Sequence, residues 1–564
     1  MSWLSLIPPL AVFIVGIWTK KIRLALFLGV FLAATIASDF SLIKGLGLAL
    51  TRIFDNAQLA SVASLSSFFK ASNLLIMLFV LALGILIEMI RSSRAANAFV
   101  HFTESRIKDQ KAAETSSLIL SHILCIDDYL SSLTVGSVVR PITDRFRISR
   151  IKLAFLTDSM AAPITMLTPV SSWAAAIIGF LNDNGVSNVL TENTLVLASP
   201  YSLYLKILPY IFYSATLIAT VWIIVRFRIS FGLIERHDHI AKTTGNLLGG
   251  KTIDFANHQE KSSGSREATV TDFFLPIGSL LAFTLTFLLY FGGFWLFGGD
   301  SGFFASMRQA PISLVLFLAG LSSILASSAY YVATHKFFIG ELLHVFKNGI
   351  KLMFPVTIIL VLAWTMGGLL RQDLQTGQWI ASLIADAVPL QWLPLILFWN
   401  AALISLSLGS SWATSAILFP IAIPMVMSMK HLDGAITLEQ LPILLPVFGA
   451  ILSGAVCGDH ISLISDTTIM ATSSSGCDLV DHVKSQAAYA APVIFGSSVG
   501  YATAGYYIDD IASWPYLALA AGLSLASSTA MLITMRALWK RDPGFDQKTE
   551  EPAAVRDCPQ TEIV

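Results

Sequence analysis

The sequence predicts an all-α membrane protein: a polytopic helical bundle with two inverted repeats, each containing a re-entrant hairpin and a broken helix. Three features predict it. The 564 residues are 55% hydrophobic and 13% charged, with a mean hydropathy of +0.71, whereas a soluble domain carries about 25% charged residues. Apolar runs of membrane-spanning length recur along the chain. Five aspartates, Asp127, Asp128, Asp158, Asp459 and Asp466, lie inside such runs with no Lys or Arg in them to neutralise the charge. At mid-membrane, bare carboxylates would together cost about 12–18 kcal/mol. A chain keeps such groups where a proton or a mobile cation compensates them.

The same numbers exclude other classes. Lys plus Arg equals Asp plus Glu at 36 each, and no basic stripe suggests a nucleic-acid partner. Cys125, Cys457, Cys477 and Cys558 share no metal-ligand or disulfide spacing, so no cofactor is expected; Cys125 stands out only because it neighbours the Asp pair.

The first apolar run, Leu4 to Trp18, has no basic residue before it and Lys20, Lys21 and Arg23 after it. This order fits a first span with its amino end outside and not a cleavable leader. Further runs fall at roughly 24–38, 72–90, 153–180, 200–225, 273–297, 309–333, 352–370, 441–472, 487–507 and 513–535. Basic clusters at 20–23, 91–111, 140–152, 226–266, 336–351 and 536–541 orient them with these loops and the carboxyl terminus in the cytoplasm. LNDNG after Phe180, GGDSG after Phe297 and the pair Asp509-Asp510 fall outside.

Residues 112–139 break the alternation, because positive clusters flank them on both sides. A re-entrant hairpin keeps both clusters inside. Its turn falls at IDDYLSS, about 13 residues from either end and so about 20 Å deep. Irregular backbone at that depth must be buried in protein or line a watery cavity. A second hairpin is predicted over 393–428, broken at SLGSS. Ser131-Ser132 precede Pro141-Ile142 by the interval at which Ser410-Ser411 precede Pro420-Ile421. Each hairpin follows a span and a short amphipathic stretch (92–111 and 376–388). Each precedes a long apolar segment broken in its middle, at Pro163 to Pro169 and at CGDHISLISD. With the first hairpin opening inside and the second outside, the pattern is that of inverted-repeat transporters, whose substrates sit between discontinuous helices. The expected divisions are two N-terminal spans and an outer segment (1–71), a first repeat (72–226), a mobile cytoplasmic linker without visible chemistry (227–272), an added span with the second repeat and last helix (273–538), and a disordered tail (539–564).

Asp127 and Asp128 diverge by about 100° on a helix. Asp128 is the favoured carrier because Ser131 and Ser132 follow it on the same face; one of the pair is expected to cap the helix at the break. Asp158 lies about 9 Å into its span past Lys152, which could snorkel toward it, and Thr168 follows among many hydroxyls. The second hairpin tip has no acid, only hydroxyls including Ser410 and Ser411. Its acids come later, as Asp459-His460 and Ser465-Asp466-Thr467, with Asp459 and Asp466 two turns apart on one face. His460 could shuttle protons, although a buried histidine, His122 included, is more often a satisfied core residue. Asp478, Asp481 and His482 read as ordinary cytoplasmic caps.

Three blocks, DDYLSSLTVGSVVRPITDRFRISRIKLAFLTDSMAAPIT, LGSSWATSAILFPIAIP and SGAVCGDHISLISDTTIMATSSSGCDLVDHV, resemble the NhaC-type Na⁺/H⁺ antiporter family. The resemblance extends over roughly 72–505. It implies an inner-membrane secondary carrier, usually exchanging Na⁺ for H⁺, with some members exchanging organic acids. By motif position, Asp127, Asp128 and Tyr129 match the family's DDY, and Asp158 its acidic position before AAP. Ser410, Ser411 and Trp412 match its G-[ST]-S-W turn, while Gly458, Asp459, His460, Ser465, Asp466 and Thr467 match GDH…ISDTT. Leu130-Ser131-Ser132 and Ile461-Ser462-Leu463 depart from the family's usual Ala-Asn-Thr and Cys-Ser-Pro, which bears on substrate more than on fold.

The expected function is therefore secondary transport and not catalysis: Na⁺/H⁺ antiport by competition of the two ions for buried aspartates, with Na⁺ held by those carboxylates and hairpin oxygens. The alternative is a Na⁺- or H⁺-coupled carrier of a small carboxylate or amino acid. The expected setting is a bacterial-type inner membrane, with the lipid bilayer as surroundings and a homodimer allowed. An intramembrane aspartyl protease fits poorly, since Val456-Cys457-Gly458 lacks the first glycine of GxGD and Tyr129 follows its acid. A channel is less suited than a carrier to two opposed hairpins.

Overall fold

The computed structural model describes residues 3–19, 21–93, 95, 98, 107–251, 269–376, 379, 388–432, 434–507 and 510–539. The tail from Asp542, Cys558, Asp509, most of the two amphipathic stretches and residues 252–268 of the linker lie outside the described residues. Short turns aside, the helices are α1 (Ile7–Thr19), α2 (Ile22–Ala37), α3 (Leu42–Asn56), α4 (Ser72–Ser92), α5 (Gln110–Ile123), α6 (Asp128–Arg145), α7 (Arg150–Leu167), α8 (Ser172–Asp183), α9 (Pro200–Ile207), α10 (Phe212–Phe227) and α11 (Gly232–Thr244). They continue as α12 (Val270–Phe291), α13 (Ile312–Ala333), α14 (Ile339–Gly368), α15 (Leu393–Leu408), α16 (Ser411–Met429), α17 (Leu444–His460), α18 (Asp466–Ser475), α19 (Leu479–Tyr506) and α20 (Trp514–Trp539). Among the described residues, eight helices are long and apolar enough to cross a membrane, nine if the pair α7–α8, bent by 49°, makes one span.

The helices break within both segments expected to form hairpins and within both expected broken spans; the arms of the second segment, α15 and α16, are each long and apolar enough to cross a membrane. The chain breaks after Ile123 and resumes at Asp128, because Asp127 caps α6 by accepting the Leu130 amide at 3.0 Å. It breaks again at Gly409, whose φ of +62° suits a residue without a side chain, and Ser410 caps α16 by accepting the Ala413 amide. The run 153–180 divides into α7 and α8 at the Pro169 break, and 441–472 divides into α17 and α18 after His460.

In each half the hairpin's first arm runs parallel to the helix that follows the hairpin. Lys152 at the start of α7 pairs with Glu114 at the start of α5, and at the far ends the Ser172 amide donates to the Ile126 carbonyl at 2.9 Å. In the second half, Gly454 and Gly458 of α17 lie on the Phe398 and Ala402 carbonyls of α15, with room for no Cβ. Farther along, the Ser462 hydroxyl donates to the Leu406 carbonyl at 2.9 Å. Small residues that let backbones approach this closely drive helix packing in lipid.

The return arms cross over. α6 packs on α18, Gly136 against Ser474 and Ser475 and Arg140 beside Gly476. α16 packs on α8, with Trp412 against Trp173 at 4.8 Å and Phe419 against Phe180 at 5.7 Å. The first return arm thus ends near Arg150, at the start of α7, and the second ends beyond α8. There a small parallel sheet, absent from the all-α expectation, joins the loops after α8 and α16: β1 (Val186–Ser187), β2 (Val196–Leu197) and β3 (Ile436–Thr437) in that order.

The linker corrects an expectation. α11 is docked, its Asp238 accepting from the Ser149 amide and hydroxyl. Lys251 beyond it pairs with Asp481 at 2.6 Å and Asp478 at 3.3 Å.

Candidate ion-binding site

Four helices begin near the middle of the bundle: α6, α8, α16 and α18, capped by Asp127, Ser171, Ser410 and Ser465. Their first turns share two carboxylates. The Trp173 indole N–H of α8 donates to Asp128 Oδ2 of α6 at 2.9 Å. Ser411 of α16 and Thr467 of α18 both donate to Asp459 Oδ2, at 3.2 and 3.4 Å, and Ser465 lies 3.0 Å from the Thr467 hydroxyl. The next residue, Thr468, donates to Asp158 Oδ2 at 3.1 Å, and His482 Nε2 lies 3.0 Å from the same oxygen. Consecutive threonines of α18 therefore hold carboxylates from the two halves of the chain.

Asp127, Asp128, Asp158 and Asp459 are all buried, and among the described residues no Lys or Arg forms an ion pair with any of them. Asp158 Oδ1 and Asp459 Oδ1 have no protein partner, nor do the buried hydroxyls of Ser131 and Ser132. A native interior pairs nearly all such atoms, so this concentration marks a place where water or a ligand completes the set. No three His, Cys, Asp or Glu side chains among the described residues gather as a metal centre.

Several sequence expectations change. Lys152 does not reach Asp158: its ammonium lies between Glu114 at 2.7 Å and Asp238 at 3.4 Å. Asp459 and Asp466 share no helical face, because the chain breaks between them, and Asp466 is exposed where Asp459 is buried. Thr168 ends α7 and bonds back to the Ile164 carbonyl, away from Asp158. His482 is no surface cap but fully buried against Asp158. Asp478 is the cap, accepting the Asp481 amide at 3.0 Å; that bond and the Lys251 ammonium hold its carboxyl below the usual range. His460 is buried, with Nδ1 3.4 Å from the Tyr213 hydroxyl and Nε2 unpartnered.

Trp173 escaped the sequence reading, Thr468 was seen only as the end of the run Ser465-Asp466-Thr467-Thr468, and His482 read as a cap. Trp173 had a signal: Ser171-Ser172-Trp173-Ala174 repeats as Ser410-Ser411-Trp412-Ala413. His482 had none, since only the fold of α19 against α7 brings it to Asp158.

The model of the Na⁺/H⁺ antiporter family matches residues 164–506. The chain belongs to that family. An uncharacterized protein of Haemophilus influenzae is 31% identical to this antiporter-family chain over 513 residues, covering 90% of this chain and 92% of that protein. A Bacillus subtilis protein described as a malate-2H⁺/Na⁺-lactate antiporter is 28% identical over 260 residues, 43% of this chain and 46% of its own length. Among solved structures, the Alcanivorax borkumensis YdaH transporter overlaps with a TM-score of 0.46 at 14% identity, covering 82% of this chain and 89% of that one. Neisseria gonorrhoeae MtrF, from a class of antimetabolite efflux pumps, overlaps at 0.39 and 14%, covering 90% and 85%. These overlaps are too loose to transfer the role of any side chain.

Proposed function

We propose that this secondary transporter exchanges Na⁺ for H⁺ across a bacterial-type inner membrane, the two ions competing for buried carboxylates. One observation carries the reading. Asp158 and Asp459 come from different halves, are held by neighbouring threonines, each keep one unpartnered oxygen, and pair with no Lys or Arg among the described residues. A carboxylate in that position must be compensated by a proton or by an ion, so releasing one requires taking up the other. Asp459, with Ser411, Ser465 and Thr467, offers oxygens suited to Na⁺. Asp158 is oriented by the His482 ring. Asp127 is tied down as a cap, and Asp128, beside the free hydroxyls of Ser131 and Ser132, extends the acidic path. Hairpins read as opening to opposite sides, with the amino terminus outside and the carboxyl terminus in the cytoplasm, suit alternating access about a central site.

Replacing Asp459 or Asp128 by Asn should abolish Na⁺-driven pH changes in everted vesicles while the protein remains monodisperse. Wild-type exchange in either variant refutes that residue's role.

A second reading, exchange or co-transport of a small organic acid, is favoured by the malate and lactate exchange ascribed to the Bacillus subtilis relative and by Ile461-Ser462-Leu463 lying beside Asp459. Counterflow of labelled malate, lactate and amino acids in proteoliposomes separates the two, since a pure ion exchanger moves no organic label.

A further inference from the structure

The segment after α10 is docked by bonds that weaken along its length. At its root the Phe231 ring stacks on Tyr489 of α19 at 4.1 Å, and the Phe231 amide donates to the Tyr489 hydroxyl at 2.9 Å. Asp238 of α11, also buried, accepts from the Ser149 amide and hydroxyl and pairs with Lys152. Farther on, the Leu247 carbonyl accepts the Arg150 amide at 3.1 Å. The chain then folds back at Gly249, whose φ of +67° and lack of a Cβ let its backbone lie on the His237 ring. The tip is held by charge at the surface. Lys251 reaches Asp481 at 2.6 Å and Asp478 at 3.3 Å, and its side chain is 47% exposed. An exposed pair is weak and screened by salt, whereas buried pairs are costly to break. Residues 232–251 therefore form a strap that gives way first at Lys251.

Under the tip lies the approach to Asp158. Asp481 adjoins His482, which is fully buried with Nε2 3.0 Å from Asp158 Oδ2. Cys477, one residue before Asp478, is 6% exposed. Burial and the carboxylates of Asp478, Asp481 and Asp158 push its thiol up, so it senses both the latch and the site. We propose that the strap is a lid on the face read as cytoplasmic, rooted by Phe231 and Asp238 and latched to α19 by Lys251, and that lifting its tip opens the path to Asp158. Lys251 acts as a tethered cation. While seated it neutralises Asp478 and Asp481; once lifted, it leaves their negative charge at the mouth, which draws cations inward. The proposal rests on Asp158 lying on the transport path, and not on which ion is carried.

Cys477 supplies the test, because it is native to the chain and lies beneath the latch. The full-length protein in nanodiscs is labelled with a charged maleimide in a sodium-free N-methylglucamine buffer, and the Cys477 peptide is followed by mass spectrometry. Lys251→Ala, a change at an exposed residue, should raise the labelling rate about two- to fivefold, the effect of losing an exposed ion pair. Removing a nearby positive charge would by itself leave fewer thiolates and slow the reaction, so a rise reports access. Raising N-methylglucamine chloride to about 1 M, where charges are screened beyond about 3 Å, should speed the wild type likewise and leave Lys251→Ala nearly unchanged. Lys251→Arg, which keeps the charge, should label as the wild type does. In proteoliposomes Lys251→Ala should also raise the initial rate of Na⁺-driven exchange about two- to fivefold. Unchanged labelling in Lys251→Ala, or faster labelling with exchange no faster than in an active wild type, overturns the proposal. Faster labelling in a protein that moves no Na⁺, with or without Lys251, upholds the lid and sinks the ion assignment instead.

Discussion

The two hairpin tips use one backbone device for different chemistry. The first tip carries its own acids, spending Asp127 on capping α6 and leaving Asp128 for Trp173. The second tip has none: its cap is a serine, and Ser411 reaches across to Asp459 on the following helix. The bases differ in the opposite sense. The first half is anchored by a buried ion network, Glu114, Lys152 and Asp238, while the second is held by glycines of α17 set on the backbone of α15. Both breaks are therefore capped by a side chain that accepts an amide, whereas the acid beside them comes from the tip itself in one half and from a neighbouring helix in the other.

The largest expected effect tests the first anchor. Lys152 is 6% exposed and compensates two buried carboxylates. Lys152→Met removes the only positive charge bonded to Glu114 among the described residues and should destabilise the protein by about 3–5 kcal/mol, because breaking a buried pair leaves charge uncompensated. Thermal unfolding in detergent measures it. A loss below about 1 kcal/mol, the range of a surface pair, would mean that the first half is held as the second is, by packing.

That anchor also shows what the sequence could and could not disclose. Both helix breaks were legible, the first because charge flanked its segment on both sides, the second because its segment was too long for one pass and broke at SLGSS, and both because Ser-Ser and Pro-Ile recurred at one spacing. Asp128, Asp158 and Asp459 were legible as acids in apolar surroundings. Their partners were not. Lys152 precedes Asp158 by six residues, which suggested a local pair, yet it turned to Glu114 and Asp238, far apart in the chain and brought together only when α5 and α11 packed on α7. The same long-range packing moved His482 from an apparent cap into the site. The shared face of Asp459 and Asp466 was misread for a different reason: a seven-residue interval places two groups on one face only if the helix is continuous, and here it breaks at Ile461.

The second anchor is tested by comparing two glycines. A Cβ at Gly458 would meet the Ala402 carbonyl, which is backbone within α15, whereas at Gly136 it would meet the side chains of Ser474 and Ser475. Backbone cannot give way as a serine rotamer can. Gly458→Ala should therefore cost about 1–3 kcal/mol, the usual penalty of overpacking, and Gly136→Ala less. Equal losses in thermal unfolding would show that the α6–α18 contact is as rigid as α15–α17, and that the two halves differ less than their bonding suggests.

The smallest expected effect separates the two carboxylates themselves. Asp459 is held by hydroxyls from Ser411 and Thr467, whereas Asp158 has a hydroxyl and an imidazole. If His482 serves Asp158 by donating one hydrogen bond, an amide can replace it and a hydrocarbon cannot. His482→Gln should keep Na⁺-driven exchange within about threefold of wild type, while His482→Leu should lower it roughly tenfold, the loss of a bond worth about 1.4 kcal/mol. Neither should alter exchange through Asp459 by a direct contact, so the apparent Na⁺ affinity should stay nearly constant while the maximal rate falls. Glutamine failing as badly as leucine would show that the ring has to accept and release a proton in each cycle. Asp158 and Asp459 would then differ in chemistry as well as in the means by which they are held.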